Sequence, residues 1–260
     1  NFGEVPYGDI HKFTDPSVSD EALGKLIPNH DVLCAGFPCQ PFSLAGVSKN
    51  QSLGRKHGFE HATQGTLFFD IARILKVKRP PAFFLENVKN LLGHNHGQTF
   101  SMIKGTLEHE LGYVINWSVV DGRHWCPQHR ERVFIVGYDP NALPVSKSDI
   151  KIPTQSTSSN NKKTLAEVIE REVDSSYTLG PGTWRTLVRH KKYHESKGQG
   201  FGYGIHRAPF AEGEVTRTIS ARYHKDGAEI LIEQPGDRPR KLTVREAMQL
   251  QGYDPDRFVF

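Results

Sequence analysis

The sequence has 260 residues, of which 37% are hydrophobic and 24% charged, with a net charge of +4 and a pI near 8.9. This length can bury the core of one large domain or of two smaller ones. The mild basic excess permits nucleic-acid binding without demonstrating it. Three cysteines without regular spacing argue against a disulfide framework and suit a reducing cytosol. No apolar run reaches the length of a membrane span and no signal-peptide pattern occurs, so we expect no membrane segment.

The N-terminal residues give weak local signals. The chain begins at Asn1 rather than Met, so we expect an interior piece of a longer protein. Asp9 and Ile10 follow a glycine, and by themselves they suggest only a turn that enters a surface loop. Residues 21–28 can form a short helix before the first strand.

The first predicted strand is the apolar run at 31–34, which Gly36 and Pro38 bring to an end. Cys39 would then lie at the carboxyl end of the strand, where catalytic groups gather in open α/β sheets. A cysteine held in such a turn can aim a thiolate at a substrate. Free cysteines are also among the most buried residues, so the residues alone support a nucleophile and a packed side chain about equally.

A polar stretch at residues 45–64 follows this strand. Loops of this length inside a compact domain are unusual and are generally functional or disordered. Lys49, Arg55 and Lys56 give the stretch a cationic character that suits phosphate groups. A basic lid and a solvated loop both fit this composition. Residues 66–78 then have apolar residues at helical spacing and predict a helix that returns the chain to the sheet.

Two later strands also carry polar groups at their ends. The run at 80–88 is apolar until Glu86 and Asn87, and Gln128-His-Arg-Glu-Arg132 immediately precedes the apolar run at 133–137. A cysteine, a carboxyl group and a pair of arginines thus each lie at the end of a predicted strand. This arrangement predicts an active site at one edge of a sheet.

The segment between these motifs predicts an amphipathic helix at 98–111 and a strand at 113–120. Four histidines here raise the question of a metal site: His94, His96, His124 and His129. They are scattered over loops without the spacing of metal ligands, so we predict no metal site.

The composition changes after Tyr138, and the polar residues 146–163 are interpreted as a linker. Beyond it, residues 165–172 predict a short helix and residues 184–197 a basic one. The density of Arg, Lys and His in the basic helix is typical of nucleic-acid contact, although solvated helix surfaces have the same composition. The glycine-rich segment 198–204 can let backbone approach a groove closely.

The C-terminal part predicts a hairpin and a helix. Residues 217–222 and 228–232 are expected to pair as strands around a Lys-Asp-Gly turn. Residues 241–252 predict a helix that begins with a capping box of Thr243 and Glu246 and ends at a glycine.

Three motifs occur in order: Gly36-Phe-Pro-Cys-Gln-Pro-Phe-Ser43, Glu86-Asn-Val88 and Gln128-His-Arg-Glu-Arg132. This series resembles the cytosine-C5 DNA methyltransferases, and in particular their bacterial Dcm-type branch. The resemblance continues through Gly200-Phe-Gly-Tyr-Gly204 and through residues 218–232. It implies an α/β fold: a partial class I S-adenosylmethionine-dependent methyltransferase (Rossmann-like) sheet with a smaller, mixed target-recognition domain.

The resemblance also implies a domain order and partners. We expect a partial catalytic domain at 1–145, a linker at 146–163, a target-recognition region at 164–235 and a return helix at 236–260. The expected partner is double-stranded DNA with a short palindromic site, bound by a monomer. The expected location is the bacterial cytoplasm, at the nucleoid when the protein is on DNA.

The chemistry that the resemblance implies starts with the addition of the Cys39 thiolate to C6 of a flipped cytosine. Glu86 would hold N3 and the exocyclic amine, and would need a dry pocket to keep the proton that N3 receives. Arg132 would contact O2 of the base, and Arg130 would support the thiolate or a phosphate.

Further roles follow from the same resemblance. The implied contacts of S-adenosylmethionine, which leaves as S-adenosylhomocysteine, are Asp9, Ile10, Pro38 and Leu67. The implied contacts of the target cytosine are Ser43, Asn87 and Gln128. The implied DNA contacts are Lys49, Arg55, Lys56, Arg185, Arg189, Lys191, Lys192, Gly202, Tyr203 and Arg222.

Two segments typical of the family do not occur in these 260 residues: a Phe-x-Gly-x-Gly-Gly loop and a Gly-Asn-Ser-Val-like segment. Both would line the cofactor pocket. We therefore expect an incomplete cofactor site, completed by further segments or a separate chain, and weak or no activity of the 260 residues alone. An RNA cytosine-5 methyltransferase and a non-catalytic DNA-binding fragment remain alternative interpretations.

Overall fold

We analysed a computed structural model of the chain, which describes residues 6–38, 67–155, 163–198, 203–227 and 229–258. The chain divides into two compact units. The first, called here the sheet unit, is Gly3–Val120 with Glu131–Thr154. The second, called here the mixed unit, is Asn1–Phe2, Asp121–Arg130 and Gln155–Phe260. Segment 121–130, which the sequence prediction placed in the catalytic domain, is thus grouped with the C-terminal part of the chain.

The sheet unit is built on a four-stranded mixed sheet. Its strands are β1 (Val32–Gly36), β2 (Ala82–Val88), β3 (Val114–Asp121) and β4 (Glu131–Tyr138). Their order in the sheet is β1-β2-β4-β3, with β1 parallel to β2 and β4 antiparallel to β2. The four strands predicted at 31–34, 80–88, 113–120 and 133–137 are confirmed. The fold class is α/β, as predicted.

The helices of the sheet unit connect and cover these strands. They are α1 (His11–Thr14), α2 (Asp20–Leu26), α3 (Leu67–Lys78) and α4 (Gln98–Gly105), with a π turn at Thr106–Glu110 and 3-10 turns at Lys89–Leu92 and Lys147–Asp149. The helices predicted at 21–28, 66–78 and 98–111 are confirmed. Only the last differs in kind, because its final turn is a π turn rather than α.

Helix α3 shows how the sequence determines the packing. Its buried residues Phe68, Ile71, Ala72 and Leu75 repeat at helical spacing and lie in the same core cluster as Phe83 of β2. Full burial of each large apolar side chain contributes roughly 1.5–3 kcal/mol. Two prolines after residue 79 end the helix, because proline disfavours helical conformation in the residue before it.

The pairing of β2 with β4 contains one close contact. Phe83 lies opposite Gly137, and a Cβ atom added to Gly137 would overlap the Phe83 ring. Phe83 is 1% exposed and also packs against the ring of Tyr113, with centroids 5.0 Å apart. The ring therefore occupies the space that a side chain at position 137 would need.

The mixed unit has short elements around a second apolar core. Its helices are α5 (Leu165–Val168), α6 (Pro181–Ser196), α7 (Tyr223–Asp226) and α8 (Val244–Leu250), with strands β5 (Ile205–His206) and β6 (Leu231–Ile232) and 3-10 turns at Gly122–His124 and Ser175–Tyr177. The core includes Leu165, Val168, Ile230, Leu242 and Leu250. The capping box of Thr243 and Glu246 at the start of α8 is confirmed.

The predicted hairpin at 217–232 is wrong. The expected turn contains α7 instead, and β6 pairs in parallel with β5 rather than with residues 217–222. The reason is a long-range contact. The buried Tyr223 hydroxyl donates to the Ile230 carbonyl at 2.6 Å and accepts from the Leu242 amide at 2.8 Å. Burial raises the pKa of Tyr223 far above its ordinary value, which keeps the hydroxyl protonated as a donor.

Candidate active site

Glu86 and Arg132 form an ion pair at the end of the β2–β4 strand pair. Arg132 Nε lies 2.8 Å from Glu86 Oε1. In the sheet register Glu86 lies opposite Phe134 and Val88 lies opposite Arg132, so Glu86 and Arg132 are diagonal neighbours on one face. The Glu86 side chain is 33% exposed and Arg132 is 15% exposed. The described residues therefore hold a charged pair at a strand end without enclosing it in a dry pocket.

Gly36 leaves room for the second carboxylate oxygen of Glu86. The two residues are paired in the parallel β1–β2 register. A Cβ atom added to Gly36 would lie 3.2 Å from Glu86 Oε2, which is closer than ordinary van der Waals contact. The glycine of the first motif and the glutamate of the second are therefore direct neighbours.

Asn87 fixes the chain that leaves β1. It is 2% exposed, and its Nδ2 donates to the Phe37 carbonyl at 2.8 Å. Its Oδ1 accepts from the Val88 amide at 2.8 Å. The Phe37 ring packs on Phe68 with centroids 5.6 Å apart. The side chain of Asn87 thus braces the residues that lead to Pro38, and its predicted contact with the target base stays a prediction.

Several predicted site residues lie outside the described part of the chain. They are the predicted nucleophile Cys39, the predicted base contact Ser43 and the predicted DNA contacts Lys49, Arg55, Lys56 and Gly202. Pro38 is described and exposed, and it immediately precedes Cys39.

The predicted cofactor residues Asp9 and Ile10 enter α1 beside the start of α3. Asp9 Oδ1 accepts a hydrogen bond from the His11 amide at 3.0 Å. His11 Nδ1 lies 3.1 Å from Asp70 Oδ2, in the first turn of α3. Leu67 is the first residue of the same helix. The N-terminal turn of α3 therefore connects the two parts of the predicted cofactor set.

Pro38 belongs to the same neighbourhood through Phe37. Phe37 is 6% exposed and belongs to the core cluster that includes Phe68 and Phe69 of α3. Ile10, Pro38 and Leu67 offer apolar groups and Asp9 an exposed carboxylate acceptor. These residue types fit an adenine nucleoside, since a flat ring needs apolar contact and its amine or hydroxyls need an acceptor. The residues present fit this group of the expected cofactor.

Segment 121–130 of the mixed unit is organised by Asp121, which the sequence analysis missed. Its carboxylate accepts from the Arg123 amide at 3.1 Å, the Arg130 amide at 3.0 Å and His129 Nδ1 at 2.7 Å, and it pairs with the Arg123 guanidinium. Burial acts to raise the pKa of Asp121, but these hydrogen bonds outweigh it and hold the pKa below its usual value. The Gly122 amide donates to the Arg130 carbonyl at 3.0 Å. Both backbone groups of Arg130 are therefore fixed.

Gln128 is buried in the mixed unit at 0% exposure. Its Nε2 donates to the Leu250 carbonyl at 3.4 Å, and among the described residues its Oε1 has no hydrogen-bond partner. The neighbouring His129 amide donates to the Thr216 carbonyl at 2.8 Å, and the Thr218 hydroxyl donates to the His129 carbonyl at 2.7 Å. Segment 128–130 is thus hydrogen-bonded to residues 216–218 through His129. The predicted contact of Gln128 with the target base stays a prediction.

Helix α6 presents the basic surface expected from the sequence. None of its residues is buried. The predicted DNA contacts on it are Arg185, Arg189, Lys191 and Lys192. Tyr203 packs on it, with its ring 4.9 Å from the Trp184 ring and 4.5 Å from Lys191 Nζ. Arg222 is exposed before α7.

Two negative observations apply to the described residues alone. These ranges contain no group of three or more His, Cys, Asp or Glu side chains placed to hold a metal ion. Of the helices that the structure describes, none combines the length and apolar character of a membrane span.

The fold belongs to a known class. The chain superposes on the structure titled as the Entamoeba histolytica methyltransferase EhMeth with a TM-score of 0.59 at 15% identity, covering 98% of this chain and 73% of that one. This likeness shows that the chain has the α/β fold of that methyltransferase.

The family follows from the sequence comparison. The family model of the C-5 cytosine-specific DNA methylases matches residues 1–260, so the chain belongs to this family. It is 46% identical over 278 residues to the DNA-cytosine methyltransferase of Escherichia coli K12, covering 95% of this chain and 58% of that protein. It is 45% identical over 258 residues to the Type II methyltransferase M.SsoII of Shigella sonnei, covering 98% and 61%. The chain thus spans about three fifths of these relatives. The predicted family and Dcm-type resemblance are confirmed.

Proposed function

We propose that the chain carries the catalytic and DNA-recognition parts of a DNA (cytosine-5)-methyltransferase. The reaction transfers a methyl group from S-adenosylmethionine to C5 of a cytosine flipped out of a short palindromic duplex site. The observation that carries the proposal is the Glu86–Arg132 pair. It lies beside Gly36, at the start of the segment that leads to Cys39. In a member of this family, the pair would supply a carboxyl group for N3 and the exocyclic amine of cytosine, and a guanidinium for O2.

In the proposed reaction the Cys39 thiolate forms a bond to C6 of cytosine. The electron pair of the C5–C6 double bond then becomes available at C5, while N3 takes a proton. S-adenosylmethionine, when bound, supplies the methyl group that C5 accepts. A base then removes the C5 proton, the S–C6 bond breaks, N3 returns its proton to Glu86, and the double bond and thiolate are restored. Cysteine is suited to this role because it both attacks and leaves as a thiolate.

Glu86 and Arg132 would exchange partners when the base enters. With Arg132 at its Oε1, Glu86 is positioned as a hydrogen-bond acceptor, which suits the exocyclic amine of cytosine. A hydrogen bond from Glu86 to N3 requires that the arginine contact be given up, because Arg132 Nε occupies Glu86 Oε1. Arg132 would turn to O2 of the base, where it stabilises the charge that develops when the thiolate adds.

The cofactor would be held by Asp9, Ile10, Pro38 and Leu67. The apolar side chains would enclose the adenine ring, and the carboxylate of Asp9 would accept from its amine or from the ribose. Completion of this site by further segments or by a separate chain is part of the proposal, since the sequence contains neither of the two family segments expected around it.

DNA would be bound through α6 and Tyr203 of the mixed unit. The cations of α6, none of whose residues is buried, suit phosphate oxygens, and Tyr203, which packs on Trp184 and Lys191, would contact the duplex. Arg130 would contribute either a phosphate contact or support for the thiolate. A bacterial cytoplasmic location and a monomeric state on double-stranded DNA complete the proposal.

Covalent trapping tests the proposal. Duplex DNA with 5-fluorocytosine in CC/GG-type sites is incubated with S-adenosylmethionine and the protein, together with the segments or the chain that complete the cofactor site, and complexes are run on a denaturing gel. Fluorine at C5 blocks the last elimination, so an active enzyme stays attached. We expect a band that Cys39→Ser abolishes and that Glu86→Gln reduces by about 10²–10⁴-fold in rate.

The alternatives predict different gels. A non-catalytic DNA-binding fragment shifts duplex DNA in a native gel equally well with Cys39→Ser, and gives no band that survives denaturation. An RNA methyltransferase is trapped by 5-fluorocytidine RNA and not by the duplex. Either result would contradict the proposed function.

A further inference from the structure

Helix α6 carries two histidines one turn apart, and their side chains meet. His190 Nε2 lies 3.4 Å from His194 Nε2. The ring centroids are 4.6 Å apart and the ring planes are inclined at 78°. Because the nitrogens are closer than the centroids, the two rings converge at their Nε2 corners. His190 is exposed and His194 is half-buried.

This separation matches the edge of a metal coordination shell. Zinc–imidazole bonds are about 2.0–2.1 Å long, so two nitrogens of a tetrahedral site are about 3.4 Å apart. Residues four apart lie on the same face of a helix, and the backbone of a 16-residue helix fixes that spacing. Metal binding would replace the contact between the two Nε2 atoms, and the rings would rotate so that both lone pairs meet at one point.

We propose that His190 and His194 form a two-histidine site for a divalent transition-metal ion such as Zn²⁺, Ni²⁺ or Cu²⁺. Imidazole nitrogens suit these ions, whereas Mg²⁺ and Ca²⁺ prefer oxygen ligands. Water or another small ligand fills the remaining positions. With two protein ligands, the site differs from a catalytic zinc site, which has three.

The surroundings set the strength of the site. Lys191 pairs with Glu195 at 4.0 Å, which offsets one of the charges next to the histidines. Lys197 interacts with Tyr193, whose ring packs against His194 with centroids 5.4 Å apart. The net basic charge of α6 repels a dication, and salt screens this repulsion over about 8–10 Å. Metal affinity is therefore expected to rise between low and physiological ionic strength.

Isothermal titration of the untagged chain with ZnCl₂ tests the site. We expect one strong binding event for the wild type, and at least about tenfold weaker binding for His190→Asn and for His194→Asn. Loss of a residue that merely orients a ligand already costs about 10–100-fold in affinity, so loss of a ligand costs no less. MgCl₂ should give no comparable event. These substitutions should leave the circular dichroism spectrum unchanged, because α6 has no buried residue.

The chain has 13 histidines, so the control must keep their number. The double variant His194→Asn with Glu195→His moves one histidine from i+4 to i+5, away from the face that His190 occupies. It should lose the site although its histidine count is unchanged. His224→Asn, which removes an exposed histidine elsewhere in the mixed unit, should keep it. Equal zinc affinity in the wild type and the i+5 variant would overturn the proposal.

Discussion

Glu86 and Arg132 are joined across two antiparallel strands, with Arg132 Nε 2.8 Å from Glu86 Oε1, although 45 positions separate them in the sequence. The contact depends on the register of β2 and β4, which places Val88 opposite Arg132. Strand pairing, rather than a loop, thus brings together the glutamate of one motif and the arginine of another. Groups placed on strands are held more accurately than groups on loops.

Gly36→Ala should impair catalysis with little effect on folding. Gly36 lies within β1, where alanine can adopt the backbone conformation, but its new Cβ atom would lie 3.2 Å from Glu86 Oε2. The carboxylate must shift by a few tenths of an ångström or more. We expect the covalent trapping rate to fall by about 10–100-fold, because small displacements of positioned groups have effects of this order.

The matched control is Gly93→Ala. A Cβ atom added there would meet nothing within 4 Å, so the trapping rate should equal that of the wild type. The urea midpoint of both variants should stay close to the wild-type value. Equal trapping by Gly36→Ala and wild type would show that the position of Glu86 does not depend on Gly36.

Asn87→Ala should destabilise the protein. The substitution removes a buried amide and leaves the Phe37 carbonyl without its 2.8 Å donor. An unsatisfied buried acceptor costs about 1–3 kcal/mol, and we expect a loss of this size in the free energy of unfolding measured in urea. Asn90→Ala, at an exposed position nearby, should change it by less than about 0.5 kcal/mol. An equal effect of the two substitutions would contradict the bracing role.

Arg240→Met should be among the most destabilising substitutions in the mixed unit. Arg240 and Glu246 are 4% and 0% exposed, and they form two parallel hydrogen bonds of 2.9 and 2.7 Å. Removing the arginine leaves a buried uncompensated carboxylate, which costs about 3–5 kcal/mol. The exposed pair of Arg245 and Asp256 offers the control, and Arg245→Met should have little effect on the thermal midpoint. Similar midpoints for the two variants would contradict the prediction.

Acid should weaken the contribution of Asp139 to stability. The hydrogen bond from Arg79 Nε, 2.6 Å long, lowers the pKa of this buried carboxyl below its ordinary value of 3.8. Because the folded pKa lies below the unfolded one, the contribution is complete above about pH 4 and is lost as the pH falls through the folded pKa. In urea unfolding at several pH values, wild type should exceed Asp139→Asn in stability near neutral pH, and this difference should shrink below about pH 4. A difference in stability between the two proteins that does not change with pH would contradict this prediction.

Local patterns predicted most of the sheet unit. The spacing of Phe68, Ile71 and Leu75 predicted α3, and the apolar runs predicted all four strands, because both periods depend only on neighbouring residues. The sequence motifs placed Glu86 and Arg132 at the ends of predicted strands, and the structure joins them in an ion pair. The reason is that strand ends of one sheet meet at its edge.

Contacts between distant residues could not be predicted in this way. The hairpin expected at 217–232 failed because Tyr223 bonds to Ile230 and Leu242 and stabilises a helical turn. The sequence analysis also missed the hydrogen bond from Asn87 to the Phe37 carbonyl and the hydrogen bonds that Asp121 accepts. Nothing in the local sequence fixes a hydrogen-bond partner. A carboxylate just before a glycine turn was the available signal for Asp121.

Gly137 fixes the register in which β4 pairs with β2. Phe83 fits only over a position without a side chain, so β4 can align with β2 in one way that leaves its ring undisturbed. A slip of two residues, the smallest that keeps the same face inward, would carry Arg132 about 7 Å past Glu86. The missing side chain of Gly137, near one end of these strands, thereby determines that Glu86 and Arg132 meet near the other end.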